Sequence, residues 1–260
     1  MLFPFVPPPR AEGRPLVLGH RGASAEAPEN TIAAFRLAME RGADGVELDV
    51  WRCGTGELVV AHDDDLLRVG GSPLVVRDAP LAALRAVDVG RWKGERFRGE
   101  RAPLLGEVLE AVPGAVVNVE LKSARFRLPD LGLARAVARL LRDLGAEERA
   151  FVSSFDFRLV AAFRACSPRV ATGLLFEDGS PWRGRIELAT AVLRPSALNP
   201  GLRLVTPERF RRWAGGGRGV FVWTADAPED VARLCALGAA GLYANDPGAA
   251  RAAVRRATHR

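Results

Sequence analysis

Eight short runs of apolar and β-branched residues punctuate the chain, at 16–19, 45–50, 115–121, 150–153, 171–176, 196–199, 219–223 and 241–244, and most lead into a stretch of helical periodicity. A strand followed by a helix, repeated eight times, predicts an α/β fold in which parallel strands close into a (β/α)8 TIM barrel. Local chemistry marks the helices: Asn30 and Thr31 are placed to cap 32–41, Gly42 to end it, and Pro207 to open 208–213. A ninth β-like run, 58–62, follows the second strand after only residues 52–57, among them Gly54, Thr55 and Gly56. A parallel neighbour needs a crossover of about a dozen residues, so this run is expected to fold back as a hairpin at the barrel rim. The segment 63–103, with Gly70-Gly71 and Trp92, then reads as an insertion on the catalytic face before a helix at 105–111. The expected organisation is a single domain over 14–250 carrying that insertion, with a proline-rich segment at 1–13 and a basic tail at 251–260.

Composition permits this fold and narrows the setting. A chain of 260 residues suits one barrel, and 48% hydrophobic with 26% charged residues is the balance of a chain with a real core. The net charge of +6, from 37 Lys+Arg against 31 Asp+Glu, favours anionic partners. The basic residues are mostly arginines scattered along helical stretches, such as Arg135, Arg139, Arg142, Arg211 and Arg212, and read as solvated helix faces. No basic stripe interleaved with aromatics and no nucleic-acid motif stands out, so nucleic acid is not an expected partner. Cys53, Cys166 and Cys235 lie far apart without metal-type spacing and read as free thiols of a reducing compartment. The first nine residues hold four prolines and lack the basic leader and apolar stretch of a secretory signal. No apolar run approaches the roughly 18 residues of a membrane span. A cytoplasmic protein without stable membrane insertion is expected.

Candidate chemistry concentrates at strand ends, where barrels carry catalytic groups. Gly19-His20-Arg21-Gly22 ends the first strand in an imidazole suited to proton transfer and a guanidinium suited to phosphate oxygens. In Glu47-Leu48-Asp49, alternation puts both carboxylates on one strand face, roughly 7 Å apart at their α-carbons. Facing into a barrel, they need a cation or a positive partner to offset desolvation, the alternative being that they point outward or lie against an arginine; as ligands, hard oxygens point to Ca2+ or Mg2+. His62 ends the hairpin run, with Asp63 placed to orient it or to form a turn, whereas the third histidine, His259, lies in the basic tail. Asn118, Glu120 and Lys122 share one face of the third strand, read either as a further metal ligand with a phosphate-binding ammonium or as a strand-end ion pair. Ser153-Ser154-Phe155, Trp223-Thr224 and Asn245-Asp246-Pro247 close later strands and can line the mouth with hydroxyl, aromatic and turn-forming groups.

Together with Pro28-Glu29-Asn30-Thr31, these motifs, in this order and from about residue 16 to 248, resemble the glycerophosphodiester phosphodiesterase family. The resemblance implies a barrel with a small insertion, a divalent cation and release of glycerol 3-phosphate from a small-molecule glycerophosphodiester. Matched motif by motif, Glu47, Asp49 and Glu120 are its metal ligands, His20 and His62 its acid/base pair, and Arg21 and Lys122 its phosphate-binding groups, with Phe155 and Trp223 at the substrate. Val69 and Ala244 depart from the family pattern, each standing where a threonine is usual, and neither touches the chemistry. The expected activity is metal-dependent hydrolysis with either water or the substrate's own hydroxyl as nucleophile. The rival readings are a phospholipase D-like or C-like activity on lipid phosphodiesters, which would need a docking surface beyond Phe3, Phe5 and the basic tail, and a noncatalytic anion-binding module.

Overall fold

A computed structural model describes residues 11–124, 128–179 and 186–258. Eight parallel strands close into a barrel in the order β1 (Leu16–His20), β2 (Gly45–Arg52), β6 (Val116–Leu121), β7 (Ala150–Ser154), β8 (Ala171–Phe176), β9 (Ala197–Pro200), β10 (Gly219–Val222), β11 (Gly241–Ala244) and back to β1. The barrel helices that follow them are α1 (Ile32–Glu40), α4 (Leu105–Ala111), α5 (Leu131–Asp143), α6 (Phe157–Cys166), α7 (Ile186–Leu193), α8 (Pro207–Trp213), α9 (Pro228–Leu237) and α10 (Pro247–Thr258). The predicted TIM barrel is the fold of the chain.

Strand alternation sorts the two cores. Odd positions of β1 point inward, so Leu16 and Leu18 join Phe151, Ala171, Ala197, Phe221 and Tyr243 in the barrel interior. The outward set, Val46, Leu48, Val50, Val117 and Val119, packs against Phe35, Leu105, Val137 and Leu141 of the helix layer. Close approach of β2 to β6 depends on Gly45, because a Cβ there would lie 1.9 Å from the Val116 carbonyl oxygen.

β2 runs past its predicted end because Trp51 and Arg52 pair antiparallel with Val59 and Leu58 of β3 (Leu58–Val60), the expected hairpin. Beyond it come the small antiparallel pair β4 (Asp65–Leu66) and β5 (Ser72–Val75), the helices α2 (Leu67–Gly70) and α3 (Leu81–Arg85), and two 3-10 turns. These enclose their own apolar cluster, Trp51, Val59, Leu66, Val76, Leu84 and Val89. The segment leans on the loop after β1, with Lys93 Nζ donating to the Ser24 carbonyl (2.7 Å) and Arg96 to that of Glu26 (3.2 Å).

One expectation needs correction. Arg251 to Thr258 do not form a separate tail: Pro247 opens α10, whose Ala250, Ala253 and Val254 are buried, and Arg255 and Arg256 belong to its outer side. His259, Phe3 and Phe5 lie outside the described residues.

Candidate active site

The catalytic mouth is built from the next inward positions above the core. On β1 that position is His20, and the chain then turns sharply: Arg21 has φ 57°, Gly22 has φ 86°, and a Cβ on Gly22 would lie 2.6 Å from the backbone of Ala34. Glycine alone lets α1 pack this tightly against the turn. The left-handed backbone of Arg21 aims its amide at Glu47 Oε2 (2.9 Å), while its guanidinium donates to Glu29 Oε1 (2.9 Å) and lies 3.5 Å from Asp49 Oδ2.

Glu47, Asp49 and Glu120 converge as the inward positions of adjacent strands; Asp49 and Glu120 are in register, and one oxygen of each of the three lies within 4.8 Å of the others. All three are buried. Lys122 Nζ bridges Asp49 Oδ1 (3.1 Å) and Glu120 Oε1 (2.9 Å). Burial, reinforced by Asp49 and Glu120, pushes the Glu47 carboxyl up, and burial likewise raises Glu120 against the pull of Lys122. Burial acts on Asp49 in the same sense, but Lys122 and Arg21 outweigh it and hold this carboxyl below its usual range. The ammonium of Lys122, although desolvated, is held charged by Asp49 and Glu120.

The residues fit a divalent cation. The donor set is all carboxylate oxygen, as hard cations require. Around it, among the described residues, five carboxyl groups, those of Glu29, Asp63, Glu47, Asp49 and Glu120, face three permanent cations, Arg21, Arg68 and Lys122. The Nε of Arg21, buried without a hydrogen-bond partner 3.5 Å from Asp49 Oδ2, is a donor suited to an anion beside this cluster.

The two histidines are each held from behind. Asp226 accepts from the amide and Nδ2 of Asn245 (both 2.7 Å), which orients Asn245 Oδ1 toward His20 Nδ1 at 2.8 Å. Nδ1 therefore carries the proton, and the Nε2 lone pair looks toward Glu47 Oε2, 4.0 Å away. Burial, with the charge of Arg21, pushes the His20 pKa down to about 4. His62 Nδ1 meets Asp63 Oδ1 at 2.8 Å; burial and Lys122 lower its pKa, opposed by Asp49 and Asp63.

His20, Arg21, Glu47, His62 and Glu120 line a cavity of about 150 Å³, with Phe155 and Trp223 opposite, their rings edge to face with centroids 5.6 Å apart. Lys122 sits behind the carboxylates. Ser153 and Ser154 are not at the mouth: Ser153 exchanges hydrogen bonds with Asn118 inside the barrel, and Ser154 donates to the Leu121 carbonyl.

Several supporting residues escaped the sequence reading. Asn30 does not cap α1; Thr31 does, accepting from Ala34, while Asn30, at φ 57°, donates to Asp49 Oδ2 (2.8 Å). Arg68 of α2 grips both oxygens of Glu29 (2.7 and 2.8 Å) and Asp63 Oδ2 (2.7 Å), joining the partners of Arg21 and His62. Glu29 and Asn30 had a signal, two polar residues before a helix, which the capping interpretation absorbed. Arg68, in the insertion, had none.

The fold and site define a TIM-barrel hydrolase with a carboxylate cluster that can hold a metal ion. Residues 20–249 match the model of the glycerophosphoryl diester phosphodiesterase family. A glycerophosphodiester phosphodiesterase of Caldanaerobacter subterraneus is 36% identical over 236 residues, 89% of this chain and 94% of that one. Among solved structures, a phosphodiesterase of Oleispira antarctica in complex with the product sn-glycerol-3-phosphate superposes with a TM-score of 0.80 at 27% identity, covering 93% of this chain and 97% of that one. A glycerophosphodiester phosphodiesterase of Thermotoga maritima does so with a TM-score of 0.73 at 29% identity, over 90% and 96%. The chain belongs to the glycerophosphoryl diester phosphodiesterase family. Among the described residues no helix is long and apolar enough to cross a membrane.

Proposed function

We propose that the chain hydrolyses glycerophosphodiesters to glycerol 3-phosphate and an alcohol, in a catalytic barrel over about 14–250, with Ca2+ or Mg2+ held by Glu47, Asp49 and Glu120. The observation that carries this reading is the convergence of the carboxylates of Glu47 and Glu120, two imidazoles and the Arg21 guanidinium around one small cavity, with Asp49 and Lys122 directly behind them. The product bound by the Oleispira antarctica relative supports glycerol 3-phosphate as one product here. When bound, such a cation polarises a phosphate oxygen and offsets charge developing in the transition state.

The protein's own groups do the remaining work. Arg21, with its buried Nε unsatisfied, and Lys122, held charged, are suited to the phosphate oxygens. His20 is neutral with its lone pair on Nε2, so it takes the proton of the attacking hydroxyl, whether of water or of the substrate's glycerol. His62 is assigned delivery of a proton to the departing alkoxide because Asp63 behind it opposes the lowering of its pKa by burial and Lys122. Three free cysteines support a reducing, cytoplasmic setting.

Turnover of glycerophosphocholine and glycerophosphoethanolamine should vanish in chelator and return with Ca2+ or Mg2+. The same cations should raise the melting temperature of the wild type and not of Glu47→Gln, since they bind the native site better than the unfolded chain. Full turnover in excess chelator after exhaustive dialysis would remove the metal from the account. Absence of turnover on every glycerophosphodiester, with metal supplied, would sink the reading itself.

A further inference from the structure

Behind His20, three loops meet at one side-chain amide: Asn245 follows β11, Asp226 lies beyond the end of β10, and Ser24 beyond the end of β1. Asp226 and Ser24 do not line the cavity shared by His20, Glu47 and Glu120. Both line a separate, wider groove of about 570 Å³ that His20 also borders, and Asp226 is exposed there.

An amide can be set two ways, with oxygen and nitrogen exchanged, and its neighbours decide which. A carboxylate only accepts. The two oxygens of Asp226 take the backbone N–H and Nδ2 of Asn245, 2.7 Å each, so turning the amide would set its carbonyl oxygen against carboxylate oxygen. Asn245 Oδ1 is thereby left to accept from Ser24 Oγ (3.0 Å) and from His20 Nδ1 (2.8 Å). The Ser24 hydroxyl donates or accepts and suits either setting, whereas Asp226 suits one. In the turned amide Nδ2 would donate to Nδ1, the proton of His20 would sit on Nε2, and the ring would present a donor where a base needs a lone pair.

We infer that Asp226 is a positioning residue, fixing the tautomer of His20 through Asn245 from outside the catalytic cavity. The consequence for turnover rests on His20 being the base proposed above, and the tautomer itself does not.

With three histidines in the chain, the tautomer can be read directly. Nitrogen NMR of histidine-labelled, metal-free protein, recorded well above the ordinary histidine pKa, distinguishes a protonated Nδ1 from a protonated Nε2, and His62→Ala removes one of the other signals. His20 should carry its proton on Nδ1 in the wild type and in Ser24→Ala. It should be shared between the nitrogens in Asp226→Asn, whose amide suits either setting, and move to Nε2 in Asp226→Lys, whose ammonium attracts Asn245 Oδ1. For glycerophosphocholine, kcat should fall about two- to fivefold in Asp226→Asn, following the share of the competent tautomer, and about a hundredfold in Asp226→Lys, with KM little changed. A proton on Nδ1 in both Asp226 variants, or on Nε2 in the wild type, would overturn the inference; a lower melting temperature with the tautomer unchanged would make Asp226 a tie between loops. A changed tautomer with unchanged kcat upholds the lock and refutes His20 as the base. If the wild type is inactive with metal present, the hydrolytic reading fails, and the tautomers of the variants still decide this one.

Discussion

The two histidines of the mouth are distinguished by what lies behind them. His20 backs onto a neutral amide, Asn245, and is pushed toward the neutral form, whereas His62 backs onto Asp63. If both transfer protons, His20→Ala and His62→Ala should each lower turnover of glycerophosphodiesters by roughly 10² to 10⁴-fold, with KM changed far less. A nitrophenyl diester has a good leaving group and needs little protonation as it departs. Steady-state rates on bis(p-nitrophenyl) phosphate should therefore survive His62→Ala much better than His20→Ala. The reverse order would exchange the two roles, and near wild-type turnover of a glycerophosphodiester in either variant would make that histidine structural.

Between elements, Arg68 joins the insertion to the barrel. Its guanidinium satisfies Glu29, which holds Arg21, and Asp63, which holds His62, so one side chain from α2 sets the positions of the groups proposed above to bind phosphate and to transfer a proton. The geometry is that of a planar fork, which lysine cannot reproduce. Arg68→Ala should lower kcat about tenfold, by analogy with the loss of groups that orient ligand side chains, and displace the pH profile assigned to His62. Arg68→Lys should restore little of it. A kcat and pH profile both unchanged in Arg68→Ala, measured on glycerophosphocholine, would show that the insertion positions neither group.

At the scale of the whole molecule, the barrel is pinned where its first and last units meet. Asp44, before β2, accepts two hydrogen bonds from Arg14 (2.7 and 2.8 Å) and one from the Val17 amide (2.9 Å), with Arg251 of α10 at 3.5 Å. Burial pushes the Asp44 carboxyl up, but these partners outweigh it and hold it below the usual range. The unfolded chain therefore takes up the proton first, and the stabilisation is complete above an ordinary aspartate pKa of about 4 and lost as pH falls through the lower folded value. Asp44→Asn should be less stable than the wild type by about 2 kcal/mol near neutrality, with the gap closing below about pH 4 in urea titrations. A gap that persists undiminished at pH 3 would show that the charge of Asp44 is not what matters.

The barrel and the core of the site were legible in the sequence because both obey local rules. Alternation along each strand separates the inward Glu47 and Asp49 from the outward Val46, Leu48 and Val50, and catalytic groups of such barrels sit where strands end. The supporting groups obeyed no local rule. Asn245 lies 225 residues from the histidine it orients, and Arg68 lies 39 from Glu29, so only closure of the ring and folding of the insertion bring them together. Asn30 read as a helix cap because its spacing suits one, and its left-handed backbone turns it to Asp49 instead. The last helix read as a tail because its exposed arginines hid a buried face of alanines and Val254. Strand patterns along the chain determined which residues face inward, and the tertiary structure decided which of them share a level, because that depends on the register between neighbouring strands.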